Sequence, residues 1–291
     1  MKKSKKVLQW FEAYAYLLPA FILLILFIYY PFVVSVVKSF FLTNSFAKIK
    51  EFVGLENYIT LFKDSVFRKS VANTFKFTIF SVPISIIIAF FMALLASKRR
   101  KMSPLYEVFY SIPMALSSSV SAMIFKIMFN QNVGIINKML HVHINWLDSV
   151  SNAMWVLIII SIWMHLGYNY LFILSAVRGL DRSVLESAEL DGAGPLTKAR
   201  KIVMPLISPT LFFLFCNSLA GAFTMSNLSL ILTPEGGPAK STETMISYMY
   251  KASAQSSNYN IAFPAAVISF LIAVIAIIAT FAYEKKGVHY N

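Results

Sequence analysis

The stretch VANTFKFTIFSVPISIIIAFFMALLA, residues 71–96, decides the fold class of this chain. It carries one charged residue, Lys76, near its start, and otherwise runs through apolar, small and hydroxyl side chains. A helix of about 20 mostly apolar residues is long enough to cross the hydrocarbon core of a bilayer. This stretch is therefore predicted to be a transmembrane helix.

Five further runs share this length and character, and the composition of the whole chain agrees with them. Only 13% of the 291 residues are charged and 58% are hydrophobic, whereas soluble domains carry about 25% charged residues. The apolar excess is predicted to face lipid. We therefore expect an all-α, polytopic membrane protein with about six transmembrane helices in one domain, residues 1–291. The other five predicted spans are Tyr14–Val37, Leu105–Phe129, Ala153–Val177, Val203–Leu232 and Ile261–Tyr283.

Five prolines lie inside or near these runs. Membrane helices tolerate proline because neighbouring helices can satisfy the backbone groups that it frees. The prolines are therefore predicted to kink the spans rather than to end them. They are Pro19, Pro31, Pro83, Pro113 and Pro264.

Basic residues predict the orientation. Segments that would be cytoplasmic with an inside amino terminus hold 15 of the 26 Lys and Arg residues, most densely at Lys98–Lys101 and at Lys2, Lys3, Lys5 and Lys6. Positive charge marks the cytoplasmic side of a membrane protein. The first apolar run lacks a small-residue cleavage site, so it is predicted to be an anchor. Both termini are predicted to be cytoplasmic.

Several classes of function are disfavoured. The net charge of +13 lies between apolar runs rather than on a nucleic-acid-binding face. Cys216 is the single cysteine, so an intrachain disulfide is impossible. Three histidines give no metal-binding pattern: His141 and His143 stand alone in an outer loop, and His165 lies in an apolar helix, where packing or a buried hydrogen bond explains it. No catalytic set stands out, and the chain is predicted not to be an enzyme.

The sequence shows no site for a coupling ion or for ATP. Their middle portions contain no Asp or Glu, although ion-coupled carriers generally bury carboxylates there. Gly237–Ser241 has the wrong spacing for a phosphate-binding loop. Energy for any uphill transport must therefore come from another chain.

The connection at residues 179–209 is predicted to be structured. Ser183 followed by Glu186 has the spacing of a capping box, and Gly192 can end a short helix in a left-handed conformation. A second helical piece is predicted from Pro195 or Leu196 towards Val203. Such a displayed helix suits docking into a partner's groove. The residues alone leave a solvated linker equally open.

The run Glu186–Ala193, ESAELDGA, followed by Ile202-x-x-Pro205, resembles the EAA motif of permeases of ABC-type importers, with Ser187 in place of the first alanine. Other pieces resemble the sugar-importing branch of that family, in the same order along the chain. They are Tyr16–Pro19, Tyr30-Pro31, Gly54–Tyr58, Asn73-Thr74, Gly134–Asn137, Trp146-Leu147, Trp163, Gly167, Leu232–Pro238 and Thr242–Thr244.

The resemblance implies the type I importer permease fold and half of a translocation path in a prokaryotic plasma membrane. It implies a second, similar permease, two ATPase subunits that hold ATP and Mg²⁺, and an extracellular solute-binding protein, while this chain binds no cofactor. The motif forms a coupling helix in the family. The residues that would make this joint are Glu186, Ser187, Ala188, Asp191, Gly192 and Ala193.

Resemblance to maltose-type permeases also implies substrate contacts in the fourth and fifth helices. Gly221 and Ala222 stand where maltose permeases carry an asparagine and an aromatic residue, which argues against maltose itself. Asn169, Asn217 and Asn227 are plausible polar additions, and helix packing is the alternative role for every one of these residues. The implied contacts are Leu166, Gly167, Tyr170, Ser218, Gly221, Ala222 and Met225.

We therefore predict a permease subunit of an ATP-driven oligosaccharide importer. The first alternative is the same class carrying glycerol phosphate or an acidic oligosaccharide, which would require a Lys or Arg facing the pore. Lys76 and Lys126 are the only basic residues near the membrane runs that could serve, and both are predicted to be interfacial. An ion-coupled carrier and a membrane scaffold are the remaining classes.

Overall fold

The computed structural model of this chain describes residues 14–97 and 101–287. The basic residues at Lys2, Lys3, Lys5 and Lys6, and three of the four at Lys98–Lys101, lie outside this part.

Four helices are long and apolar enough to cross a membrane. They are α1 (Tyr14–Lys38), α3 (Ser65–Ala96), α7 (Ala153–Arg178) and the segment Tyr259–Ala282 of the last helix, α13 (Tyr259–Gly287). These helices confirm the first, second, fourth and sixth predicted spans. The helix α3 begins before the predicted run, because the Oδ1 atom of Asp64 accepts a hydrogen bond from the backbone nitrogen of Val66 at 2.7 Å.

The other two predicted spans are broken, so the expectation of single helices there was wrong. The third consists of α4 (Ser103–Ala115) and α5 (Ser118–Met128), which meet at 100°. The chain is extended at Leu116, and the hydroxyl of Ser117 then caps α5 by accepting from the backbone nitrogen of Val120. Each bent pair counts as one span only if it crosses the membrane as a unit, which gives up to six spans.

The fifth predicted span, Val203–Leu232, contains parts of three helices. They are α9 (Pro195–Leu206), α10 (Ser208–Phe223) and α11 (Asn227–Leu232), and α9 meets α10 at 75°. Pro205 and Pro209 flank this bend at Ile207. Proline has no backbone N–H, so neither residue can donate to the preceding turn.

The chain divides into two compact units, residues 1–63 with 249–268 and residues 64–248 with 269–291. The first unit contains a feature that was not predicted, an antiparallel ribbon of β1 (Phe41–Thr43) and β2 (Ile49–Phe52), followed by α2 (Glu56–Lys63). The side-chain nitrogen of Asn57 donates to the carbonyl oxygens of Ser39 and Phe41, both at 3.0 Å. This asparagine fixes the entry to the ribbon.

The second unit is built around α3 and α7. Its core contains fully buried residues such as Phe77, Leu157 and Ile173. A row of buried hydroxyl side chains also lies on α3: Thr74, Thr78, Ser81 and Ser85. The side-chain nitrogen of Asn169 in α7 donates to the Ser85 hydroxyl at 3.2 Å. Small hydroxyl residues let membrane helices approach closely, and Ser85 lies where α3 contacts α7.

The second unit also contains the short helix α6 (Ile135–Leu140). Another short helix, α12 (Met245–Tyr250), crosses the boundary between the two units.

Candidate functional site

Two residues separate the short helix α8 (Arg182–Leu190) from Gly179, which ends α7. Its amino-terminal cap is Asp181, whose Oδ1 atom accepts from the backbone nitrogen of Ser183 at 2.9 Å. This hydrogen bond holds the pKa of the Asp181 carboxyl below its usual value. The predicted capping box at Ser183 was therefore wrong, because Asp181 takes the cap position two residues earlier.

The carboxyl end of α8 has the predicted left-handed glycine. Gly192 has φ of +77°. Its nitrogen donates to the carbonyl oxygen of Glu189, and the nitrogen of Ala193 donates to that of Ala188 at 2.9 Å. These two bonds form a Schellman motif. The prediction for Gly192 is confirmed, and α8 has a fixed length and direction.

The exposed side of α8 is partly apolar. Leu190 is 89% exposed, and Leu196 at the start of α9 is 71% exposed. Ala188 faces inward, while Glu186, Ser187, Asp191 and Gly192 are exposed and Ala193 is half-buried. The Nζ atom of Lys198 pairs with Oε1 of Glu189 at 2.5 Å and so ties α9 to α8. This arrangement displays a small apolar and acidic surface.

A second ion pair ties the spans together next to this helix. The Nη2 atom of Arg178, the last residue of α7, donates to Oε1 of Glu107 in α4 at 2.7 Å. It also donates to the carbonyl oxygen of Ala96, the last residue of α3, at 3.0 Å. One guanidinium group therefore connects the ends of three helices a few residues before α8.

A cavity of about 280 Å³ lies beside α7, α10 and α11. His165, Gly221, Ala222, Met225 and Asn227 are among its lining residues. The His165 ring nitrogen Nδ1 lies 2.8 Å from the carbonyl oxygen of Ser161, and the Asn227 amide donates to the Ser118 hydroxyl at 2.9 Å. Within the described ranges, no Lys, Arg, Asp or Glu lines this cavity.

The family model described as "Binding-protein-dependent transport system inner membrane component" matches residues 81–285. The chain belongs to this family. The resemblance, the all-α polytopic fold class and the permease assignment are thereby confirmed. This permease is a multi-pass membrane protein and a transport subunit.

Relatives match nearly the whole permease. An sn-glycerol-3-phosphate transport system permease protein, UgpA of Shigella flexneri, is 30% identical over 284 residues, which cover 96% of this chain and 95% of that protein. The probable ABC transporter permease protein YurN of Bacillus subtilis is 29% identical over 282 residues, covering 94% and 96%. A chain from the crystal structure of a bacterial alginate ABC transporter, in complex with an alginate-pentasaccharide-bound periplasmic protein, superposes with a TM-score of 0.85 at 20% identity, covering 97% and 96%.

Three of the seven implied substrate contacts of the permease line the cavity together: Gly221, Ala222 and Met225. Among the polar additions, Asn227 joins them. His165, for which packing or a buried hydrogen bond was expected, makes a partly buried hydrogen bond with the Ser161 carbonyl oxygen and also lines the cavity. An imidazole within an apolar helix was the available signal.

The other four implied substrate contacts lie among packed helices. A Cβ atom on Gly167 would lie 2.7 Å from the carbonyl oxygen of Tyr110, so α7 and α4 touch at this glycine. Tyr170 is fully buried, with its ring edge-to-face to that of Tyr110 at 5.0 Å. Leu166 packs on the core, and Ser218 is buried. Their role in substrate binding stays a prediction.

Groups of three or more His, Cys, Asp or Glu residues that could hold a metal ion are absent from residues 14–97 and 101–287.

Proposed function

We propose that this permease forms half of the translocation path of an ATP-driven importer for a neutral oligosaccharide. The cavity beside α7 supports this cargo, because hydroxyl, amide, imidazole and thioether groups line it and no charged side chain does within the described residues. Neutral hydroxyl-rich solutes exchange hydrogen bonds with such groups without leaving a buried charge unpaired. The second permease of the pair would supply the opposite wall.

The helix α8 is proposed to receive the motion of a separate ATPase. Its two capped ends, its ion pair to α9 and its position directly after α7 make it a short rigid lever. Leu190 and Leu196 offer apolar side chains to a groove on the partner. ATP and Mg²⁺ would be held by two such ATPase subunits, and their closure would move α7 through Arg178 as a rigid-body switch.

The remaining assembly follows from the family and from the positive charges. An extracellular solute-binding protein would deliver cargo to the end of α7 opposite α8. Both termini and α8 would be cytoplasmic, since the basic residues cluster on that side. The membrane would be the plasma membrane of a prokaryote.

An anionic cargo is the second candidate, because UgpA relatives are named for sn-glycerol 3-phosphate and the solved neighbours for alginate. An anion crossing a low-dielectric path needs a cationic partner. The two basic residues considered for this role are engaged elsewhere. Lys76 lies 5.2 Å from the Trp155 ring centre, and Lys126 donates to the Ile231 carbonyl oxygen at 3.2 Å. Neither lines the cavity.

Cargo competition in proteoliposomes tests this proposal. The complete importer is supplied with its binding protein and with either a neutral trisaccharide, sn-glycerol 3-phosphate or an alginate oligosaccharide. ATP-dependent accumulation of the neutral sugar is expected. Accumulation of an anion alone would assign the second candidate instead.

A further inference from the structure

A second cavity, of about 570 Å³, lies near the end of α7 opposite α8. Its volume is in the range of small-molecule sites, about 300–1,000 Å³. Its lining is unusually rich in planar polar side chains, and neither the proposed membrane path nor the α8 lever uses them. These lining residues are Asn130, Gln131, Asn132, Asn145, Asp148 and Glu235.

One wall of this cavity is held by Asn137. Its side-chain nitrogen donates to the carbonyl oxygens of Gln131 at 3.0 Å and Ile144 at 2.9 Å. Its side-chain oxygen accepts from Nε1 of Trp146 at 2.6 Å. A single buried asparagine therefore joins three points of the 130–148 segment, and the lining side chains project from a fixed backbone.

The opposite wall is formed by residues 232–238. The segment that follows this wall is held in the same way by Asn73 of α3. Its side-chain nitrogen donates to the carbonyl oxygens of Lys240 and Glu243, both at 2.9 Å. The Glu243 side chain is buried and accepts from the Ser247 hydroxyl at 2.8 Å. The carboxylate of Asp64 accepts from the Tyr248 hydroxyl at 2.6 Å, and burial together with this bond raises the pKa of Tyr248.

The turn that follows this wall contains backbone strain. Two non-glycine residues, Ala239 and Lys240, have positive φ angles of 49° and 58°, next to Gly236 and Gly237 at 84° and 71°. Non-glycine residues in this region are costly and persist where the surroundings impose them, often at functional positions. The Nζ atom of Lys240 donates to the backbone carbonyl oxygen of Glu235 at 2.7 Å and so ties Glu235 to this turn.

Several lining groups have no partner within the part of the chain that the structure describes. The side-chain oxygen Oδ1 of Asn130 accepts from the backbone nitrogens of Asn132 and Val133, which leaves its side-chain nitrogen available. The side chains of Gln131, Asn132 and Glu235 make no hydrogen bond there. A rigid cavity therefore presents donors and acceptors that protein groups do not satisfy.

The charge of the lining selects the ligand class. Two carboxylates, Asp148 and Glu235, face one cation, Lys126, whose Nζ atom already donates to the Ile231 carbonyl oxygen. An excess of carboxylate repels phosphate and uronate groups. Amides and carboxylates instead offer paired acceptors and donors to the hydroxyls of a neutral sugar.

We propose that this cavity is an entry site that holds a sugar unit of the neutral cargo before it reaches the membrane cavity. This inference rests on the proposed oligosaccharide function. The site is expected to bind weakly, since the cargo must leave it to move on.

Saturation-transfer difference NMR on the full importer in nanodiscs tests this site, with maltotriose and raffinose as neutral probes and sn-glycerol 3-phosphate as the anionic one. The variant Asn132→Ala with Glu235→Ala should weaken neutral-probe binding about tenfold, as expected for two lost hydrogen bonds. Lys138→Ala, an exposed change in the same segment but outside the lining, is the matched control. His165→Phe fills the membrane cavity and should leave the entry-site part of the signal in place.

Each outcome decides the inference. Loss of the signal in the double variant, with binding retained in both other variants, supports an entry site. Loss in His165→Phe alone places the sugar only in the membrane cavity, which overturns the entry site but not the proposed function. The absence of any saturable neutral-probe signal would also overturn the entry site. Weaker binding of the solute-binding protein with unchanged probe binding would identify the cavity as a protein contact instead.

Discussion

Arg178 and Glu107 form an ion pair of 2.7 Å that joins the carboxyl end of α7 to the start of α4. Their side chains are 22% and 29% exposed, so solvent screens the pair only in part. The same guanidinium satisfies the carbonyl oxygen of Ala96 at 3.0 Å. This junction lies between the membrane spans and α8.

Arg178→Ala should destabilise the permease more than Glu107→Gln does. The first change removes the ion pair and the donor to Ala96, whereas the second removes only the pair, for which about 1 kcal/mol is expected. Thermal unfolding of the purified importer measures the order through Tm. A larger loss in Glu107→Gln would contradict this assignment of the two bonds.

Gly192→Ala should impair transport where Gly194→Ala does not. An added Cβ atom has open space at both glycines, but only Gly192 has a positive φ, +77°. The cost of about 1 kcal/mol therefore comes from the backbone conformation at the end of α8. The number of cargo molecules taken up per ATP hydrolysed measures the effect. Equal ratios in the two variants would show that the backbone conformation of Gly192 does not affect coupling.

Stronger changes on the same helix should uncouple the importer. Gly192→Asp adds both strain and charge, and Glu186→Lys reverses a charge on the exposed side of α8. We expect ATP hydrolysis to continue while uptake falls at least about tenfold, the loss from roughly 1.4 kcal/mol of docking energy. Normal uptake by both variants would refute the docking role.

Asp181→Ala should reduce uptake more than Ser183→Ala, because Asp181 is the observed cap of α8. The pKa of Asp181 is lowered, so its stabilising contribution is present above the ordinary carboxyl pKa and is lost as the pH falls through the lowered value. Near neutral pH the cap is therefore constant. Uptake assays of both variants at pH 7 give the comparison.

Substitutions at two glycines, Gly167 and Gly221, distinguish a role in helix packing from a role in substrate contact. Gly167→Ala would place a Cβ atom 2.7 Å from the Tyr110 carbonyl oxygen, so the Tm should fall, with a cost of about 1–3 kcal/mol. At Gly221 the nearest atom is Nε2 of His165 at 3.9 Å, so Gly221→Ala should keep the Tm and change the KM for uptake. An unchanged KM in a stable Gly221→Ala variant would remove this position from the path.

The sequence predicted the four long spans well because hydropathy reports burial in lipid over about 20 residues. It could not predict the bends at Leu116 and Ile207. Hydropathy averaged over a window of residues carries no information on the direction of the backbone. Prolines in a membrane helix are compatible with either a kink or a break. The pair of prolines around Ile207, Pro205 and Pro209, was the available sign of the second bend.

The site was predictable in part for the same reason. The end of α8 at Gly192 follows from local chemistry, as does its cap once Asp181 is considered. Asn57, Asn73 and Asn137 were recognised only as parts of family-like motifs, and each of them donates to two backbone carbonyl oxygens. The partners of Asn73 are about 170 residues away along the chain, a distance over which local patterns carry no information.

The proposed path of motion runs from a separate ATPase through α8 into this permease. Uptake of labelled cargo into proteoliposomes tests it most directly, with the permease pair reconstituted with and without the ATPase subunits and with ATP present or withheld. Accumulation above the external concentration is expected only when both the ATPase and ATP are supplied. Accumulation by the permeases alone would contradict it.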